Sequence, residues 1–175
     1  MKKHILSSLL LCLFIVGFTL TAQAQAHAKK KADEATEAWR YEVEVAGTGV
    51  QGTYLIKVWS YSKRSDVAIE QAKKNAVHAI IFKGFPGKTG IAGKPPLTTN
   101  VNIEEEKKDF FTDFFSEGGK YMKFVSLAAN GAVAAEDRLR VGKEYKIGVL
   151  VSVNVALLRK DLEDAGILKS LNAGF

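Results

Sequence analysis

The chain has 175 residues, 47% of them hydrophobic, which is enough for one well-buried core and makes a single domain the expected organisation. Its 15 glycines and three prolines are too few for a disordered or collagen-like chain. The net charge of +6 is mild, which excludes a polycation and argues against nucleic-acid binding.

Residues 1–26 have the pattern of a cleaved secretory signal peptide. Lys2 and Lys3 form the positive start, and residues 5–20 are almost entirely apolar. This apolar run is shorter than the roughly 20 residues that a transmembrane helix needs, so we expect cleavage and no transmembrane segment after processing. The small residues that satisfy the cleavage rule are Ala22, Ala24 and Ala26.

Cys12 is the only cysteine, and it lies inside the apolar run. A lipid-anchor signal needs its cysteine at the cleavage point, so we do not expect lipidation. The mature chain then has no cysteine for a disulfide or a metal site. Loss of the signal also removes two lysines and no acid, which leaves a net charge of +4. A cysteine-free exported chain is more typical of a bacterial envelope, periplasmic or secreted, than of an animal secretory pathway.

Residues 27–38, HAKKKADEATEA, are charged and lack a consistent apolar face, which indicates a linker. The three lysines at 29–31 have two interpretations. They contact anionic lipid or another polyanion, or they belong to a solvated tether, as most charge runs do. We favour the tether.

Two strands are expected after the linker. Tyr41, Val43 and Val45 alternate with polar residues, which is typical of a strand with one solvated face. Residues 53–61 are rich in aromatic and β-branched side chains and predict a more interior strand. The glycines between the two segments favour an antiparallel hairpin.

Residues 66–82 are predicted to form one long helix around which the domain is organised. Ser65 or Asp66 is expected to cap its first turn and Gly84 to end it. His78 falls mostly on the polar face and is expected to be a solvated surface histidine. The apolar face, with side chains at spacings of three and four, consists of Ala68, Ile69, Ala72, Ala76, Ala79 and Ile80.

Residues 84–100 are rich in glycine, proline and lysine, which predicts an irregular, mobile loop. Residues 87–89, Gly-Lys-Thr, resemble the end of a phosphate-binding loop, but Phe82 stands where that motif needs glycine. The segment is either a connector or a contact surface, since contacts usually lie on loops held by a rigid scaffold. The candidate partner contacts are Lys83, Lys88 and Lys94.

The second half of the chain predicts two helices and two strands. A helix is expected over 104–116 with an aromatic face, and its acids lack the histidine partners that would indicate a metal site. Strands are expected over 120–128 and 144–155, and an irregular segment with an exposed Asp137 separates them. A last helix over 156–165 is expected to turn its leucines inward, including Leu157, and to stop at Gly166.

These elements predict an α+β fold: an antiparallel sheet of about four strands with one long alanine-rich helix and shorter helices on one face. The domain is expected to span 39–169, followed by a tail at 170–175. Ala68, Ala72 and Ala76, together with the valine strand and helix at 149–162, resemble small bacterial outer-membrane lipoproteins and the N-terminal domain of flagellar assembly protein T. The resemblance covers 39–166 and implies an envelope adaptor without known chemistry. The chain departs from it by lacking the lipid-attachment cysteine and by the insert at 84–100.

Two classes of function remain. The first is an exported, non-catalytic binding or scaffolding module whose partner is an envelope protein or an anionic envelope polymer. The second is a small secreted hydrolase whose site is invisible in the sequence, because catalytic residues often converge only in space. The mature chain has only His27 and His78 and contains neither G-x-S-x-G nor H-E-x-x-H, so we expect no enzyme and no cofactor. The oligomeric state is left open.

Overall fold

The computed structural model describes residues 39–170. The predicted signal peptide with Ala22, Ala24 and Ala26, and the predicted linker at 27–38, lie outside the described residues. So does the predicted tail, apart from Ser170.

An antiparallel sheet of five strands forms the framework of the domain. The strand order is β1-β2-β5-β3, and β4 also pairs with β5. This architecture confirms the predicted α+β class, with one strand more than expected. The strands are β1 (Tyr41–Gly47), β2 (Thr53–Ser62), β3 (Val125–Leu127), β4 (Arg138–Val141) and β5 (Glu144–Asn154).

The predicted long helix is α-helical only as far as His78. It begins as α1 (Ser65–His78), without a side-chain cap, and continues as a π-helical turn over Ala79–Lys83. Gly84 ends it in a positive-φ conformation, as predicted, and its N–H donates to the carbonyl oxygen of Ala79 at 2.7 Å. The other helices are α2 (Ile103–Glu106), α3 (Lys108–Phe114) and α4 (Val155–Asp164).

The core lies between α1 and one face of the sheet. Ala68, Ala72 and Ala76 are fully buried there, and their small side chains allow α1 to lie close to β2 and β5. The strands contribute alternate residues to this face, because successive side chains of a strand point to opposite sides. The buried hydrophobic residues of the strands are Val45, Ile56, Val58, Ile147, Val149, Val151 and Val153.

The opposite face of the sheet has an aromatic centre. Trp59 lies directly across from Gly148 in the β2–β5 pair. Its ring lies so close to the strand that a Cβ built on Gly148 would come within 2.9 Å of it. The indole N–H donates to Glu44 at 2.7 Å, which fixes the ring over the glycine.

Two predicted elements of the second half are broken in the structure. The helix expected over 104–116 is interrupted at Lys107, which has φ −117° and ψ 34°. The strand expected over 120–128 is a 3₁₀ turn, Lys120–Phe124, followed by β3. Tyr121 and Phe124 are three residues apart, so a 3₁₀ turn places both on one side, where they meet the buried Phe115 and Phe114 at the end of α3.

Two predicted side-chain positions are also wrong. Asp137 is buried, because its carboxylate accepts two 2.7 Å hydrogen bonds from the Lys57 ammonium. Leu157 is 47% exposed, because α4 faces the core with Val155, Leu158 and Leu162 and the position of Leu157 is turned away from that stripe. Strand β4 lies within the segment predicted to be irregular.

Within residues 39–170, no helix is both long enough and apolar enough to cross a bilayer.

Candidate functional site

A groove of about 1010 Å³ runs along α1 on the side away from the sheet. The segment from Val101 to Tyr121 forms its opposite wall. We call this feature the acidic groove. Its aromatic lining consists of Trp39, Phe111, Phe115 and Tyr121, and its charged lining consists of Asp66, Glu70, Glu104, Glu105, Glu117, Lys74 and Lys108.

The groove is negative on a chain that is positive overall. Five carboxylates and two lysines line it, whereas the whole chain has a net charge of +6. Asp66, Glu70 and Lys74 recur every four residues along α1 and therefore lie on one side of the helix. This spacing is the one signal in the sequence that points to the groove, since the rest of the lining comes from distant segments.

The two ends of the groove differ in charge. At one end the Lys74 ammonium lies 5.3 Å from the centre of the Trp39 ring. Asp66 lies eight residues earlier in α1, which is about 12 Å along a helix. Near that far end Tyr121 meets Glu70 and Glu117: burial raises the pKa of the Tyr121 hydroxyl, and these two carboxylates raise it further. Glu104, whose carboxylate hydrogen-bonds with Trp39, lies at the same end as Lys74, so the Trp39 end carries both signs of charge, whereas the far end is negative.

His78 lies under the Trp39 ring, away from the groove, and its predicted position is wrong. His78 was expected to be solvated, but it is only 2% exposed. The indole of Trp39 stacks on its imidazole with 3.6 Å between ring centres. Phe82 and Phe115 contact the same imidazole at 4.7 and 5.9 Å. The polar face of α1 is thus covered at its C-terminal end by aromatic residues from the π-helical turn that follows it and from two distant segments.

Both ring nitrogens of His78 have partners. The hydroxyl of Tyr41 lies 2.5 Å from Nδ1, and a carboxylate oxygen of Glu104 lies 3.3 Å from Nε2. Burial, with smaller contributions from Lys83 and Lys74, lowers the pKa of His78 to about 3. The imidazole is therefore neutral near pH 7, so Tyr41 donates to Nδ1 and the Nε2 proton is donated to Glu104.

The pKa values of the other two members of this cluster are also shifted. Burial, and then the charge of Glu104, raises the pKa of Tyr41 above its ordinary value. Burial raises the pKa of Glu104 as well. A histidine this acidic is a weak base at neutral pH, and its nitrogens are already hydrogen-bonded. The cluster is best suited to joining β1, α1 and α2.

The three lysines predicted as partner contacts are all exposed, but they are not brought together. The Lys83 ammonium lies 4.2 Å from the centre of the Tyr41 ring, and that of Lys94 lies 5.9 Å from the Tyr54 ring. Tyr41 pairs with Ser60, which is six residues along β2 from Tyr54. The two tyrosines are therefore about 20 Å apart along the strand pair.

The segment at 84–100 is more regular than predicted. Phe85 bridges to Lys94 and Lys88 bridges to Ile91, so its first half is a small antiparallel hairpin. Lys88 lies beside the turn, in which Gly90 has a φ of 81°. Phe85 is buried, and its ring meets that of Tyr54 edge-on at 5.5 Å. The hairpin is thus anchored to the sheet, and its exposed lysines face outward.

No group of three or more histidine, cysteine, aspartate or glutamate side chains in residues 39–170 is arranged to hold a metal ion. Comparison of the chain with protein families, with curated proteins and with solved structures finds no match. The resemblance to envelope lipoproteins and to flagellar assembly protein T stays a prediction.

Proposed function

We propose that this chain is a non-catalytic binding or scaffolding module exported to the bacterial envelope, and that the acidic groove is the surface with which it holds a protein partner. The observation on which the proposal depends is the groove itself. It combines a concave shape, an aromatic lining and several carboxylates, and aromatic side chains are typical of the energetically important parts of interfaces.

The surroundings of His78 support binding over hydrolysis. A hydrolase of the Ser-His type needs a histidine whose nitrogen reaches a nucleophile. Here Nδ1 meets a tyrosine hydroxyl with a raised pKa, which is a poor nucleophile, and Trp39 separates the ring from the groove. The hydrolase alternative predicts that His78→Gln abolishes turnover of a peptide or glycan substrate.

A second partner class is favoured by three exposed lysines in and next to the hairpin. Lys83, Lys88 and Lys94 suit an anionic envelope polymer, whereas the acidic groove would repel one. The two surfaces are distinct, so a crosslinking experiment separates them.

The test places a photo-crosslinking residue at Thr112 in the groove or at Thr89 in the turn of the hairpin, both exposed threonines. Cells producing each variant are irradiated, the adduct is identified, and the captured partner is then purified and titrated against the protein. A protein adduct from Thr112 that binds in purified form supports the proposal. An adduct from Thr89 alone would mean that the lysines, and not the acidic groove, hold the partner. If neither position gives an adduct, a binding function at either surface is contradicted.

A further inference from the structure

The segment between β3 and β4 contains the only Asn-Gly pair of the chain, Asn130 and Gly131. Both residues have a positive φ, 54° and 74°, and the N–H of Ala132 donates to the carbonyl oxygen of Ala129 at 3.0 Å. These values describe a type I′ turn, in which Asn-Gly is a favoured central pair. Asn130 is exposed, and its side chain makes no hydrogen bond with the part of the chain that the structure describes.

We propose that Asn130 is a site of spontaneous deamidation, at which the chain acquires aspartate and isoaspartate with water as the only other reactant. The backbone nitrogen of Gly131 gives up its proton and bonds to Cγ of Asn130. The Cγ–Nδ2 bond breaks, and the side-chain nitrogen leaves with that proton as ammonia. Water then opens the five-membered imide. Attack at Cγ gives aspartate, and attack at the main-chain carbonyl gives isoaspartate, whose main chain runs through Cβ and Cγ.

Glycine at position 131 leaves the attacking nitrogen accessible, because it has no Cβ and its backbone rotates freely. Every other asparagine of the described residues is followed by a residue with a side chain, which hinders the approach to the nitrogen. They are Asn75, Asn100, Asn102 and Asn154, followed by Ala, Val, Ile and Val. Asn75 is buried, whereas the other three are exposed like Asn130. These three therefore serve as controls of equal solvent access.

The turn must open before the imide can form. Ring closure needs the nitrogen of Gly131 on the same side as Cβ of Asn130, but the ψ of 28° at Asn130 turns this nitrogen to the opposite side. Ala129 favours opening, because its φ of 51° and ψ of 36° place an L side chain in the left-handed region. That conformation is costly for any residue with a Cβ, and opening relieves the cost.

The two products affect the turn differently. Aspartate fits a type I′ turn before glycine and adds one negative charge. Isoaspartate instead lengthens the main chain by one methylene group. Gly131 lies against Leu127, the last residue of β3, and a Cβ built on this glycine would come within 2.9 Å of the leucine side chain. The longer chain must therefore push the turn away from Leu127, which packs against the core.

The test uses the purified full-length exported chain, kept folded for several days near neutral pH in water enriched in oxygen-18. The chain is then digested quickly in ordinary water at acidic pH, and the peptides are analysed by mass spectrometry. The heavy oxygen marks conversion that took place during the incubation, and electron-transfer fragmentation distinguishes isoaspartate from aspartate. Asn130 should convert at least about tenfold faster than each exposed control asparagine, because no Cβ hinders the nitrogen of Gly131.

Two further samples test the opening of the turn. Conversion at Asn130 should be faster in urea, where ψ rotates freely. It should be about threefold slower in Ala129→Gly, because glycine adopts a positive φ without strain and the turn then opens less often. The proposal is overturned if the folded chain converts Asn130 no faster than the control asparagines, or if conversion occurs only in urea. A rate in Ala129→Gly equal to that of the wild type overturns the route through the strained turn.

Discussion

The hydroxyl of Tyr41 and Nδ1 of His78 lie 2.5 Å apart, and this contact joins the start of the edge strand β1 to the last turn of α1. In this contact the Tyr41 hydroxyl donates and Nδ1 accepts, so the imidazole must be neutral. A protonated imidazole carries a hydrogen on Nδ1 and can no longer accept this hydrogen bond. Two cations, Lys74 and Lys83, further oppose protonation. The junction is therefore sensitive to acid.

We predict that the free energy of unfolding falls as the pH drops below 6.5. Folded His78 has a pKa of about 3, whereas an unfolded histidine has one of about 6.5, so the unfolded state binds more protons between these values. Stability from this residue is complete above pH 6.5, and about 2 kcal/mol of it is lost at pH 5. Denaturant unfolding measured from pH 7.5 to 5 tests this.

The matched control for the acid sensitivity is His78→Gln, which keeps a donor and an acceptor but does not titrate. It should be less stable than the wild type at pH 7, since the aromatic stacking is lost, and its stability should change little from pH 6.5 to 5. Glu104 acts in the opposite direction, because its pKa is raised and its protonation favours the folded state. If the free energy of unfolding of the wild type and of the variant changed with pH in the same way, the acid sensitivity could not come from His78.

A second prediction concerns the Trp59–Gly148 pair. Gly148→Ala should destabilise the protein by about 1–3 kcal/mol, because the new methyl group would overlap a ring that Glu44 fixes in place. Gly47→Ala is the control: its Cβ would meet Leu55 at an ordinary 3.4 Å, so it should be neutral or slightly stabilising. Thermal melting of both variants gives the comparison, and equal losses would rule out the steric explanation.

The fold could largely be predicted from the sequence, because alternation in the strands and the alanine spacing in α1 are local patterns. Tyr41, Val43 and Val45 lie on the face of β1 toward α1, as their period of two requires. The interruption at Lys107 and strand β4 were missed because both depend on what packs against them. Local propensity is a weak guide where tertiary contacts decide.

The candidate site could not be predicted, because no short stretch of sequence contains it. Trp39, His78 and Phe115 come from three distant segments and meet only in the folded chain. Helical periodicity correctly places His78 away from the alanine stripe, but it does not show that other aromatic residues cover that side. The lysines in and next to the hairpin are visible in the sequence, whereas the separation of Lys83 from Lys94 depends on the register of β1 and β2.

A third prediction concerns export. The mature N-terminus should lie between Gln25 and Lys29, because the small-x-small rule is met at Ala22, Ala24 and Ala26. N-terminal sequencing of the protein recovered from the periplasm or the medium measures this directly. A chain that retains Met1 and sediments with membranes would mean that the segment at 5–20 is an anchor.

A fourth prediction tests the close contact of α1 with the sheet. Ala72 is fully buried, so Ala72→Leu must push the helix away from β2 and β5 and should cost about 1–3 kcal/mol. Ala156→Leu makes the same chemical change at an exposed position of α4 and should alter stability by less than about 0.5 kcal/mol. Similar shifts in the melting temperature of the two variants would mean that α1 is not closely packed at this point.

The last prediction separates the structural from the binding role of the lysines in and next to the hairpin. Replacing Lys83, Lys88 and Lys94 with serine should cost about 1–2 kcal/mol of stability, because two of the lysines lie over tyrosine rings and an exposed cation–π contact contributes about 0.5–1 kcal/mol. Lys88→Ser alone should leave the melting temperature unchanged. If these residues also bind an anionic polymer, the triple variant should lose affinity for poly-glutamate, and the lost part should be the salt-sensitive one.

The control for this loss is a second triple variant with serine at Lys123, Lys143 and Lys169, which are exposed lysines outside the hairpin. It removes the same total charge, so a general electrostatic attraction would weaken equally in both variants. A contact made by the hairpin itself should weaken only when Lys83, Lys88 and Lys94 are replaced. Equal affinities of the two variants at low salt would mean that the hairpin connects α1 to α2 and holds no polymer.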